Sequence, residues 1–115
     1  MDLIRDLLLK IEFSSNKPSW KELTPSNDDA ESTRILEHLK IIEEAGYIKS
    51  VVVNTLQFRL PQDIEITWEG HEFLADIRDP EIWKKAKERT KAIASVGLGF
   101  MWEMAKAEIK LKLGL

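Results

Sequence analysis

The sequence predicts an α+β fold, on three observations. Leu3, Ile4, Leu7, Leu8 and Ile11 recur at spacings of three and four, the period of a helix with one apolar face. His38-Leu39-Lys40-Ile41-Ile42-Glu43-Glu44-Ala45-Gly46-Tyr47-Ile48 reads as the last turns of a second amphipathic helix, a glycine stop and entry into a strand. Tyr47 to Val53 is then dense in β-branched residues, whose stiff side chains pack well on a pleated backbone.

Taken in order, Asp2 to Glu12 forms the first helix. Ser14 to Asn27 is rich in Ser, Asn, Lys and Pro, with Trp20 and Leu23 as apolar anchors. It is predicted to be a loop with a short strand around Trp20. Ser26, Asn27 and Asp28 are all good N-caps, so a helix begins there or a turn later near Ala30. On a 3.6-residue wheel Ile35, Leu36, Leu39, Ile42 and Gly46 gather on a core side. Thr33, Arg34, Glu37, Lys40, Ile41 and Glu44 share the side a partner would see. Gly46 supplies the left-handed stop. Asn54-Thr55 is a turn, and Leu56 to Leu60 and Ile64 to Thr67 alternate apolar and polar residues with Pro61 breaking the run. Thr67 caps a helix through Trp68, Phe73, Leu74 and Ile77, which Asp79-Pro80 interrupts. Helices over Glu81 to about Ala94 and Phe100 to Leu113 follow, with Gly97 and Gly99 loosening their junction. This order is that of a winged helix-turn-helix domain with a degenerate first helix in the pair and a two- or three-stranded wing. The domain is predicted over residues 1–79, with a helical C-terminal extension over 80–115.

A chain of 115 residues, 43% hydrophobic and 32% charged, has the composition of a soluble globular protein with a real core. It has no cysteine, which excludes disulfides, thiolate zinc sites and a cysteine nucleophile. Met1-Asp2-Leu3-Ile4-Arg5-Asp6 lacks the basic segment and apolar run of a secretory signal, so secretion is not expected. The longest uncharged run, Ala92 to Trp102, falls far short of the roughly 18 apolar residues of a membrane span. A cytoplasmic protein with no membrane partner is expected. No glycine-rich phosphate loop, nucleophile elbow or His-Glu-x-x-His motif occurs, and acidic pairs such as Glu43-Glu44 fall on helix surfaces. His38 and His71 lack a histidine three or four residues away, whereas a metal needs three or four converging ligands. No catalytic activity, cofactor or metal is expected.

Charge is distributed unevenly. The whole chain carries −3, yet Asp28 to Glu44 holds six acidic residues against Arg34 and Lys40. Lys84 to Lys112 holds eight basic residues against Glu88, Glu103 and Glu108. The basic end, rather than the second helix, is the part that would draw a polyanion.

Several segments carry a family resemblance. These are Met1-Asp2-Leu3-Ile4-Arg5 with Leu8 to Glu12, then His38-Leu39-Lys40 with Glu44-Ala45-Gly46-Tyr47-Ile48. Next come Thr67-Trp68-Glu69-Gly70-His71-Glu72-Phe73-Leu74, Ile77-Arg78-Asp79 and Trp83, then Ala105 to Lys106 and the Lys112-Leu113-Gly114-Leu115 ending. On these the chain resembles a domain-of-unknown-function family of small winged-helix proteins of bacteria and their phages. The His-Leu-Lys to Ala-Gly-Tyr-Ile stretch is also similar to metal-sensing and multidrug-type winged-helix repressors. The resemblance implies a winged-helix fold and carries over no activity, substrate or catalytic residue.

If the second helix reads double-stranded DNA, Ser32, Thr33 and Arg34 are the right residue types near its N-terminal end to reach base edges. Lys49 and Arg59 on the wing, with Lys84, Lys85 and Lys87, would then hold phosphates. Asp28, Asp29, Glu31 and Glu37 oppose this by repelling the backbone. The competing expectation is a protein-binding face around Glu37 and Ile41. Phe100, Met101 and Met104 beside Trp102 form a Met-and-aromatic stripe with lysines on its flanks, suited to a homodimer seam or to packing on the same chain. Trp20, Trp68, Trp83 and Trp102 are expected to cap the small core. The sequence thus favours a non-enzymatic regulatory or accessory protein, with double-stranded DNA as one candidate partner. The alternative is an interaction or dimerisation module that binds no nucleic acid.

Overall fold

The apolar stripe of the N-terminal segment becomes helix α1 (Asp2–Phe13), which buries Ile4, Leu7, Leu8 and Ile11. The computed structural model describes residues 2–14, 16–24, 28–56, 59–91 and 97–114. Ser26 and Asn27 as caps, Gln57 and Phe58 in the expected Leu56 to Leu60 strand and Ala92 to Ala94 at a helix end lie outside them. The fold is mixed α+β, with five helices and one two-stranded antiparallel sheet among the described residues. The chain divides into two units, Met1–His71 and Glu72–Leu115.

In the first unit, helix α2 (Asp29–Glu44) is capped by Asp28, whose side chain accepts from the Ala30 amide at 2.9 Å. Of the wheel's core side Ile35, Leu39 and Ile42 are buried, Leu36 is half-buried and Gly46 exposed, and Leu23, Tyr47, Ile48 and Ile64 complete the core around α1. The helix ends in a Schellman motif. The Tyr47 amide donates to the Ile42 carbonyl at 3.1 Å and the Gly46 amide to Glu43 at 2.9 Å. Gly46 lies at φ +87, a conformation that costs other L-residues roughly 1–2 kcal/mol.

Strands β1 (Ile48–Asn54) and β2 (Arg59–Ile66) pair from Ile48 with Ile66 to Asn54 with Arg59. The register shifts between Lys49–Glu65 and Val51–Gln62, so β2 has one extra residue. Asp63, at φ +48, takes up that bulge. Pro61 does not break the run. It is paired with Val52, and its carbonyl accepts from the Trp20 amide at 3.1 Å. In extended backbone a residue's N–H and C=O point to the same side, so the missing proline N–H faces Trp20 and the ladder to β1 loses nothing. The Ile64 amide donates to Pro18 at 2.9 Å, which lays Pro18 to Trp20 along the other edge of β2 without forming a regular strand.

The exit from β2 closes onto the exit from α2. The Thr67 amide donates to the Tyr47 carbonyl at 3.1 Å. The Thr67 hydroxyl donates to the Gly46 carbonyl at 2.6 Å and accepts from the Gly70 amide at 3.0 Å. It thereby caps helix α3 (Trp68–Ile77). A Cβ on Gly70 would stand 2.0 Å from the Tyr47 carbonyl oxygen and 2.7 Å from Ile66 Cγ2, so the Thr-Trp-Glu-Gly block admits only glycine there.

In the second unit, Asp79 caps helix α4 (Pro80–Thr90), accepting from the Glu81 amide at 2.8 Å, with Pro80 in the first turn. Helix α5 (Leu98–Leu113) starts two residues before the expected Phe100, with Gly99 inside it, and ends at Gly114 with φ +76. Arg89 pairs with Glu108, and Lys112 with Asp79 at 2.8 Å, tying α4 to α5. The Trp102 indole donates to Asp76 at 2.7 Å and meets Phe73 edge-on at 5.7 Å.

Substitutions at two positions test the α2–α3 junction. Thr67→Ala loses the cap and is expected to cost about 1–2 kcal/mol, with Thr67→Ser retaining most of it. Gly70→Ala meets backbone and is expected to cost roughly 3 kcal/mol or more. Urea unfolding of the three variants against the natural chain measures both.

Candidate interaction surfaces

The outward side of α2 carries the residues expected there. Thr33, Arg34, Glu37, Lys40, Ile41 and Glu44 are exposed, and Ser32 is half-buried. The Thr33 hydroxyl is occupied by its own helix, donating to the Asp29 carbonyl at 2.9 Å. His38 Nδ1–H donates to the Arg34 carbonyl at 2.7 Å, so this histidine serves the helix backbone. Arg34 has no ion pair among the described residues and is ringed in sequence by Asp28, Asp29, Glu31 and Glu37.

Both wing cations are held by carboxylates of the first unit. Lys49 Nζ lies 2.8 Å from Glu65, which Lys17 also reaches at 3.2 Å. Arg59 pairs with Glu43, whose other carboxylate oxygen accepts from the Ser50 hydroxyl at 2.9 Å. Glu43 therefore clasps the last turn of α2 to both strands. Glu65 and Glu43 were invisible as site residues in the sequence because their partners come from other elements. Only the opposite charges on alternating strand positions hinted at cross-strand pairs.

The two faces of the hairpin differ. Ser50 and Arg59 turn toward Glu43, while Val51 and Val53, 59% and 49% exposed, stand on the other face with Lys49. Val53 is paired with Leu60 and Val51 with Gln62 across the ladder. Leu56, just beyond β1, is wholly exposed. The first unit holds thirteen acidic residues against eight basic ones, a net charge of −5.

The remaining candidates lie in the second unit, which holds nine basic residues against seven acidic ones. Lys84 is exposed, Lys85 pairs with Glu81 at 3.4 Å, and Lys87 Nζ sits 6.0 Å from the Trp83 ring centre. The dimer stripe is split by burial. Phe100 is exposed and Met104 half-buried, whereas Met101 is fully buried, its sulfur 3.4 Å from the Thr90 hydroxyl. Of the tryptophans, Trp83 is buried, Trp20 and Trp102 are half-buried, and Trp68 is 78% exposed rather than a core cap. Among the described residues no three His, Asp or Glu side chains converge as metal ligands. No helix among them is long and apolar enough to cross a membrane.

The sequence model of a family described as "Hypothetical protein (DUF2513)" matches residues 1–97. An "Uncharacterized protein" of Haemophilus influenzae is 31% identical over 91 residues, which cover 79% of this chain and 76% of that protein. No solved structure matches.

Glu65 provides a direct check of the wing ion pairs. The Lys49 and Lys17 ammonium groups hold its carboxyl below the ordinary 4.5. Its folded value is thus depressed, so its contribution to stability is present above that ordinary value and lost as pH falls through the folded one. Carboxyl-detected NMR titration is expected to show this downward displacement, and the double variant Lys17→Met with Lys49→Met to return Glu65 to the normal range.

Proposed function

The chain belongs to the DUF2513 family, and we propose that it is a cytoplasmic, non-enzymatic accessory or regulatory protein of bacteria or their phages. Its first unit, on this proposal, is a winged-helix scaffold that binds a protein surface rather than duplex DNA. The order of elements supports the scaffold: α1, an extended segment beside β2, a turn over Ser19 to Thr24, α2, then a hairpin. The turn, closed by Leu23 donating to Trp20 and Thr24 to Lys21, stands where a helix-turn-helix has the first helix of its pair.

The observation that carries the preference for protein over DNA is the commitment of Lys49 to Glu65 and of Arg59 to Glu43. A wing grips phosphate with free cations, and counterion release supplies most of the affinity. Here a phosphate would have to displace carboxylates in a unit of net charge −5, while Val51, Val53 and Leu56 offer apolar surface beside them. The acidic turn at the start of α2 adds to the repulsion.

Fluorescence anisotropy of a random-sequence duplex, titrated with the full chain at ~50 and ~200 mM salt, tests the reading. No binding at micromolar protein is the expected result. Binding that collapses with added salt and is lost in Arg34→Glu would overturn it in favour of groove reading by α2.

A further inference from the structure

Among the described residues, nothing pairs with the outer edge of β1. The ladder to β2 occupies one side of the strand, and no further backbone hydrogen bond reaches Lys49 to Asn54 among the described residues. Natural sheets protect such edges with inward charges, prolines or bulges. In this hairpin the bulge at Asp63 and the proline at Pro61 both lie on β2, and β1 presents three consecutive valines.

Its sequence is also self-complementary. Lys49-Ser50-Val51-Val52-Val53-Asn54-Thr55 has the same polarity read in either direction from Val52. We propose that β1 pairs antiparallel with β1 of a second copy about a two-fold axis at Val52, joining the two hairpins into a four-stranded sheet. This rests on the protein-binding reading of the first unit and names its partner. In that register Val52 faces its own copy, Val51 faces Val53, Ser50 faces Asn54 and Lys49 faces Thr55. Every apolar residue of the strand meets an apolar one on both faces of the sheet.

Charge is compatible with the same register. The two Lys49 residues stand six positions apart, roughly 20 Å along the seam, beyond the ~10 Å screening length at 0.1 M salt. Each is already neutralised by its own Glu65. The isologous arrangement needs only one patch, used twice. On the face away from Glu43 it gathers Val51, Val53 and Leu60 of both copies into one apolar band, since Leu60 is the cross-strand neighbour of Val53. A seam of this length covers less than the roughly 1,200 Å² of a standard stable interface, so the pairing depends on concentration.

Val51 and Val53 are exposed, so charges placed there leave the core intact, and far-UV circular dichroism of each variant should match the natural chain. Sedimentation velocity across ~5 to ~500 µM is expected to show the natural chain passing from monomer to dimer. Val51→Lys with Val53→Lys puts lysine opposite lysine at two places and should shift the midpoint upward at least tenfold. Val51→Lys with Val53→Glu puts lysine opposite glutamate at both, so dimerisation should return to near the natural midpoint. A natural chain monomeric throughout overturns the proposal, as does a dimer indifferent to the double lysine variant, or one abolished equally by both. None of these outcomes bears on duplex binding, so loss of the dimer leaves the protein-binding reading to be judged by the anisotropy titration.

Discussion

Everything in the first unit depends on the place where the end of α2 meets the start of α3. Gly46 turns the chain out of α2 in a conformation closed to other residues at acceptable cost, and Tyr47 returns its amide to Ile42. The carbonyls of Gly46 and Tyr47 are then left pointing outward, and Thr67 satisfies both, one with its hydroxyl and one with its amide. The same hydroxyl caps α3 through the Gly70 amide. Gly70 is bare because Tyr47 and Ile66 occupy the space of a side chain. Four residues thus close the hairpin at its base, set the direction in which it leaves α2 and satisfy the backbone groups that the turn leaves outside regular structure.

From that base the hairpin is an open ribbon with one side tied down. Glu43 holds Ser50 and Arg59 on the α2 side, and Glu65 holds Lys49 and Lys17 near the base. These pairs are partly exposed, so each contributes little to stability. Their larger consequence is for binding, because they remove from the wing the free positive charge a phosphate backbone needs. What remains available is apolar surface on the opposite face and an unpaired backbone edge, and both suit a polypeptide partner better than a nucleic acid.

The helices were legible in the sequence wherever a periodic stripe met a strong boundary signal. Asp28 and Asp79 as caps, Gly46 as a stop and Thr67 as a start each act through local backbone chemistry, which adjacent residues report. Pro61 misled because its effect depends on which side of the strand its missing N–H faces, and that follows from Trp20, forty-one positions away. The bulge at Asp63 is unreadable for a similar reason, since aspartate accepts a positive φ in many turns and the strand pairing alone fixes where the extra residue falls. Lys49 and Arg59 are legible as surface cations, but their partners are set by pairing and packing between distant segments, Glu65 across the ladder for Lys49 and Glu43 at the end of α2 for Arg59. Met101 was indistinguishable from Met104 by composition, and only the packing of Thr90 against its sulfur separates a core methionine from a partly exposed one.

Native-state amide exchange, followed residue by residue, bears most directly on the claim that the α2–α3 junction holds the first unit together. The amides of Tyr47, Thr67 and Gly70 should exchange with the most protected class, alongside those of Leu39 and Ile42 in the core of α2. Rapid exchange at the three junction amides while α2 stays protected would contradict it, because the hairpin would then be opening at its base without disturbing the helix it is said to be fixed to.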